Sequence, residues 1–123
     1  MNVLLSIKPE FVEMIFSGEK KYEYRKTIFK RKDISRVIIY ATAPVSRVVG
    51  EFEIDTILFE DVNTLWEETK TDAGIDEKFF FDYFTEKEKG YAIKIKKYKQ
   101  YLKSRKLNDV YHSTPPQSFA YID

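Results

Sequence analysis

The apolar positions of this chain change their spacing several times, and each change marks an element. Val3 to Ile7 is a compact apolar run closed by Lys8-Pro9, which reads as a first strand. Pro9 suits the first turn of a helix, and Phe11, Met14 and Ile15 then recur at helical spacing, with Val12 and Phe16 widening the stripe. Gly18 follows as the left-handed residue that ends such a helix. A second strand spans 20–27, and a basic loop from Phe29 to Asp33 leads to a third, Arg36 to Ala41, so continuously apolar that both faces are expected to be buried. Ala43-Pro44-Val45-Ser46 forms a turn. From Val48 to Phe59 the pattern alternates, with Phe52, Ile54, Thr56 and Leu58 on one side and Glu51, Glu53 and Asp55 on the other.

Helices are predicted from Asn63 to Glu68 and from Ile75 to Phe84, the second preceded by Gly74. Tyr91 to Lys96 alternates strictly, placing its lysines outward, and Ser113 to Ile122 reads as a Pro-containing loop that must dock its Phe119, Tyr121 and Ile122. No repeat, linker or low-complexity tract interrupts the sequence. About five to six unevenly spaced strands, with a helical excursion before the fifth, predict an α+β domain over 1–123: a small mixed β-barrel flanked by helices rather than a doubly wound sheet.

Composition narrows the chemistry. The 123 residues are 43% hydrophobic, enough for a core, and contain no cysteine, which excludes disulfides, thiolate metal sites and cysteine nucleophiles. The N-terminal apolar run is too brief for a signal sequence or membrane span, so a cytoplasmic protein without membrane contact is expected. The lone His112 has no neighbours of metal-ligand or triad type, and Glu51, Glu53 and Asp55 read as a solvated strand face; neither metal nor cofactor is expected.

Net charge is +1, but the average conceals segregation: residues 20–36 carry +6, residues 91–106 carry seven cations and no acid, and residues 51–90 carry −9. If the two basic stretches meet in space, they make a surface that attracts phosphate.

The densest candidate chemistry is Gly18-Glu19-Lys20-Lys21-Tyr22-Glu23-Tyr24-Arg25. Strand alternation puts Glu23 and Arg25 on one face, and Lys20, at the turn, is free to curl toward the same place. A carboxylate between two cations stays ionised and can fix an arginine fork. The plain alternative is a surface ion pair on a solvated strand.

These residues carry a resemblance. The pattern glycine, any, lysine, two of any, glutamate, any, arginine is met by Gly18, Lys20, Glu23 and Arg25, and the chain resembles the ASCH domain family of the PUA-like superfold. Leu4-Leu5-Ser6-Ile7-Lys8-Pro9, Val37-Ile38-Ile39-Tyr40-Ala41 with Pro44, Val49-Gly50-Glu51-Phe52 and Pro115-Pro116-Gln117-Ser118-Phe119 extend the similarity to stand-alone prokaryotic members over nearly the whole length. The resemblance implies a compact barrel with a cleft beside the first helix, and a role with RNA or nucleotides in RNA metabolism or transcription regulation.

On that basis Lys20 and Arg25 are candidate phosphate or carbonyl ligands, with Lys8 and Ser6 joining them at the cleft, and Glu23 orients the cations or accepts from a base amine. Tyr40, with Thr42, is placed to offer a hydroxyl, and Gln117 and Ser118 to close over a ligand. Tyr22, Tyr24, Tyr91 and Tyr98 are either stacking platforms or core.

The expected function is a binding module for RNA or a nucleotide. A second possibility is a small amidohydrolase acting on N4-acetylcytidine-type nucleosides, which the resemblance suggests through a cleft lysine matched by Lys20. Against it, Glu23 stands where the relatives have a threonine, the acid has only a loose counterpart near Asp72, and Glu23 is expected to hold Lys20 cationic, the wrong state for a base. A third possibility is a regulatory domain with a protein partner, served by the acidic, Phe-rich helices.

Overall fold

The structure is a computed structural model describing residues 1–123. Its elements are β1 (Asn2–Ile7), α1 (Pro9–Phe16), β2 (Tyr22–Arg25), β3 (Arg36–Ala41), β4 (Arg47–Asp61), α2 (Val62–Thr69), α3 (Glu77–Tyr83), β5 (Lys89–Arg105) and β6 (Phe119–Ile122), with short 3-10 turns at Lys70–Asp72 and Leu107–Asp109. One mixed sheet joins all six strands in the order β2-β5-β4-β3-β1-β6. Only β1 and β3 run parallel, with Val3 opposite Val37 and Ile7 opposite Ala41; α1 and β2 lie in the connection between them. The α+β class and the flanking helices match the expectation.

The continuous apolar run of β3 does bury both faces. Val37, Ile39 and Ala41 join Val3, Leu5, Ile7, Ile15 and Phe52 in the main core, while Ile38 and Tyr40 join Leu4, Val48 and Ile122 in a cluster on the opposite face. A third cluster lies under α2 and α3, where Leu65, Trp66, Phe80 and Phe84 pack with Tyr24 and Ala92. Each such fully buried side chain contributes roughly 1.5–3 kcal/mol relative to exposure.

The barrel does not close by a ladder. β2 and β6 are the two ends of the sheet, yet the Arg25 Nη2 at the end of β2 donates to the Ser118 carbonyl at 2.8 Å, just ahead of β6. The sheet is therefore rolled until its edges meet, and side chains sew the seam.

Four local expectations change. β5 continues to Arg105, well past Lys96, because its distal half pairs with β4 from Glu53 back to Val48 while both its faces stay largely exposed. In β4, register shifts on either side of Ile54 break the alternation, so Ile54 and Ile57 reach the main core and Thr56 is exposed. The end of the expected terminal loop is β6, which pairs antiparallel with β1, Asn2 opposite Ile122. β2 is shorter than the 20–27 expected.

Side-chain caps start the two helices over the third cluster. The Asp61 carboxylate accepts from the Asn63 and Thr64 amides, and that of Asp76 from the Phe79 amide at 2.8 Å. No helix is long and apolar enough to cross a membrane.

Candidate functional site

A cleft of about 530 Å³ opens where the end of β1, the start of α1, β2, α3 and the segment before β6 converge. Its volume lies in the range of small-ligand sites. β2 supplies both wall and floor. Glu23 lies opposite Ile93 of the main core and Tyr24 opposite Ala92 of the helix-covered cluster, so alternation sends them to different sides of the strand. The cleft straddles that strand's free edge.

Lys20 reaches it through two turns. Gly18 takes φ +83°, and the chain doubles back so that the Lys20 amide donates to the Met14 carbonyl at 3.0 Å. From the other side comes the loop at Gly74, where φ is +69° and an added Cβ would lie 2.5 Å from the Lys20 Cβ. That close approach sets the Ala73 carbonyl 2.9 Å from the Lys20 Nζ. The ammonium also stands 4.8 Å from the Tyr24 ring centre and 5.2 Å from that of Phe11.

Lys20 is only 3% exposed. Burial pushes it below the usual lysine range, and the charge of Glu23 opposes that shift without cancelling it. Glu23 acts on Lys20 in the expected direction, but desolvation is the larger influence and the net shift is downward.

Arg25 is placed differently from a free phosphate ligand. Its Nη1 donates to the Ser6 carbonyl at 3.3 Å and to Glu23 Oε2 at 3.2 Å; its Nη2 donates to the Ser118 carbonyl at 2.8 Å and to Ser118 Oγ at 3.1 Å. Those four contacts account for all four terminal N–H groups of the guanidinium. Beside it, the Ser6 hydroxyl donates to the Pro116 carbonyl at 2.6 Å. Arg25, Glu23, Ser6 and Ser118 therefore form a clasp that holds β2, β1 and the terminal segment together and makes the cleft floor.

Lys8, Lys26 and Gln117 line the mouth, all exposed. The Lys8 Nζ stands 5.8 Å from the Phe79 ring centre and the Lys26 Nζ 4.9 Å from that of Tyr83. Phe79 and Tyr83 sit one helical turn apart on α3, so one face of that helix forms an aromatic wall. Burial raises the Tyr83 phenol above its usual range, with Arg25 pulling the other way.

Of the nine residues named from sequence, Ser6, Lys8, Lys20, Glu23, Arg25, Gln117 and Ser118 line this cleft, and Thr42 lies outside it. Tyr40 does not line it either. It is buried on the other face of the sheet with Leu4, Ile38, Val48 and Ile122, because in β3 the cleft-side parity belongs to Ile39 and Ala41. Asp72 also stays outside: its carboxylate faces solvent 3.9 Å from Lys21 Nζ. Glu51 and Glu53 both pair with Arg36, and Asp55 stands 3.8 Å from Lys94. Among the tyrosines, Tyr24 is core and also lines the cleft, its hydroxyl bonded to Thr69 Oγ1 at 2.7 Å, while Tyr91 stacks on Phe59 at 4.3 Å. Sequence reasoning does not single out Lys26, Phe11, Phe79 or Tyr83 as site residues. The one signal it offers is the i, i+4 spacing of Phe79 and Tyr83, which core packing explains equally well.

The ASCH domain family model matches residues 5–116. The chain belongs to the ASCH family. An ASCH domain-containing ribonuclease of Zymomonas mobilis is 37% identical over 95 residues, covering 77% of this ASCH chain and 64% of that protein. Large ribosomal subunit protein uL22 of Ureaplasma parvum is 26% identical over 122 residues, covering 98% of this chain and 39% of that protein. The chain thus spans less than two thirds of the length of both relatives. A crystal structure of ASCH from Zymomonas mobilis superposes with a TM-score of 0.90 at 32% identity, over 99% of this chain and 87% of that one. A tyrosine-to-phenylalanine variant of the same Zymomonas protein gives the same TM-score at 31% identity, over 99% of this chain and 90% of that one. The ASCH fold and this chain's rolled sheet therefore correspond over almost every residue.

Proposed function

We propose that this ASCH chain is a cytoplasmic RNA-directed module that takes a nucleotide of single-stranded RNA into the cleft. The observation that carries the reading is the convergence of Lys8, Lys20 and Lys26 on a cleft walled by Phe11, Tyr24, Phe79 and Tyr83. A base needs a π face and its phosphate needs cations, and this cleft offers both within one small volume. In this reading Lys8 and Lys26 meet the phosphate at the mouth, and Lys20 donates deeper, to a base carbonyl or a sugar oxygen. Arg25 and Glu23 keep the floor in place. Glu23, tied to Arg25, acts as an orienting group rather than as an acceptor from a base amine.

RNA cleavage is a second reading, favoured by the buried Lys20 and by the name of the 37% identical relative. An amine whose pKa is depressed can take the proton of a ribose 2′-hydroxyl; the oxyanion then attacks the adjacent phosphorus and the 5′-oxygen leaves with a proton from Lys8 or Lys26. The downward shift of Lys20 also weakens one objection to amidohydrolysis, but Glu23 still stands in place of the hydroxyl nucleophile. Regulation through a protein partner has no feature of the cleft to support it.

The test is a titration of labelled eight-nucleotide RNA by anisotropy at two salt concentrations, with product analysis on the same samples. Binding that weakens with salt and fails in Lys20→Met supports the module; a 2′,3′-cyclic phosphate product adds cleavage. No binding at low salt, or equal binding by Lys20→Met, removes the cleft from the account.

A further inference from the structure

A second concave surface lies on the distal half of β5, away from the cleft. Only residues 91–94 of β5 pair with β2, so from Lys96 to Arg105 the strand is a sheet edge, with β4 on one side and no strand on the other. There Arg47, Lys99, Lys103, Arg105 and Lys106 line a groove of about 600 Å³ whose one acidic residue is Asp109. None of the five cations has a carboxylate within ion-pair distance, whereas Arg25, Arg31 and Arg36 all do.

Lysines on a strand edge often serve only to prevent edge-to-edge aggregation. Two features go beyond that. The Arg47 guanidinium is fixed by Ser104, its Nε donating to Ser104 Oγ and its Nη2 to the Ser104 carbonyl, both at 3.0 Å. The Arg105 guanidinium lies 4.3 Å from the Tyr101 ring centre, whose hydroxyl is in turn tied to Glu51 at 2.9 Å. Edge protection asks only for charge, whereas these arginines are also held in place, which suits recognition of phosphate at a set position.

We infer that this groove is a second phosphate-backbone site, which holds the single-stranded RNA flanking the nucleotide in the cleft. Ile93, which pairs with Glu23 of the cleft, and Lys103 are ten residues apart on β5, roughly 30 Å of strand, so a polymer rather than a mononucleotide is needed to occupy both sites. The inference takes the identity of the polymer from the proposed function, while the groove itself stands on its own geometry.

The test compares wild-type protein with Lys99→Ala/Lys103→Ala/Lys106→Ala, three exposed positions, using a trinucleotide, a twenty-nucleotide single strand and vesicles containing phosphatidylserine. The expected result is a tenfold or greater loss of affinity for the twenty-mer and a salt dependence shallower by up to about 2 logarithmic units per decade, with trinucleotide binding unchanged. Unchanged twenty-mer affinity and salt slope overturn the inference, as does a loss confined to the vesicles. If neither protein binds the trinucleotide, the cleft reading fails, and the twenty-mer comparison still decides the groove.

Discussion

Replacing Arg25 by alanine should destabilise the fold far more than removal of a surface ion pair. The Arg25 side chain is 11% exposed and that of its partner Glu23 6%. Truncation deletes four donor contacts and leaves the Glu23 carboxylate buried without its counter-charge. Breaking a buried pair from one side costs about 3–5 kcal/mol, against roughly 0–1 for an exposed one. That is a large share of the about 5–15 kcal/mol that keeps a domain folded. With a urea slope of about 1.5 kcal/mol/M, the midpoint falls by about 2 M or more. Trp66, buried 4.9 Å from Phe80, reports the transition by fluorescence. Because two of the lost bonds end on Ser118, amide exchange in 117–122 should accelerate at denaturant concentrations too low to unfold the core. The double change Glu23→Leu with Arg25→Met removes both charges and should regain most of the loss. A cost under about 1 kcal/mol, or unaltered exchange in 117–122, would refute the clasp.

Gly74→Ala forces an L side chain to φ +69° and into the Lys20 Cβ, and should cost about 2–4 kcal/mol, read as a fall in melting temperature; a shift under about 3 °C shows the loop moves away freely. Asp76→Ala removes the cap of α3 and should cost about 1 kcal/mol in urea unfolding, a neutral result contradicting the cap. Tyr101 is pushed up to about 12 and Tyr24 higher still, so both hold their protons beyond the unfolded-state range; their contribution is complete below about pH 10 and drains away as pH rises through the folded-state values. Lys20, depressed by burial, acts with the opposite sign: its contribution is present above about pH 10.5 and is lost as pH falls through its folded-state value, so Lys20→Met should flatten the rise in urea midpoint toward pH 10, and identical pH profiles would contradict a depressed Lys20.

What can be read from the residues is what burial dictates. β1 and β3 announce themselves because their apolar runs have nowhere to go but a core. The distal half of β5 is invisible for the converse reason: Lys97-Tyr98-Lys99-Gln100 is held by its backbone ladder to β4, and pairing without burial leaves no apolar period. Alternation rightly places Glu23 and Arg25 on one face, but the partner that decides Arg25's role, Ser118, lies 93 residues away, at the far edge of the rolled sheet. Lys20 reads as a mobile surface charge because nothing local marks its burial; the Gly74 loop that covers it arrives from beyond α2. Tyr40 is misplaced because a continuously apolar strand gives no clue to which parity faces a cleft.

In the proposed function the cleft edged by Lys8 and Lys26 receives the nucleotide. Backbone amide chemical shifts, followed while a single-stranded RNA trinucleotide is titrated in at low salt, test it most directly. The perturbed amides should gather at Lys8, Phe11, Lys20, Lys26, Phe79 and Gln117, and Lys8→Ala/Lys26→Ala should weaken binding at least tenfold. Shifts centred on α2 or the outer face of β4, with the cleft amides unmoved at saturation, would contradict it.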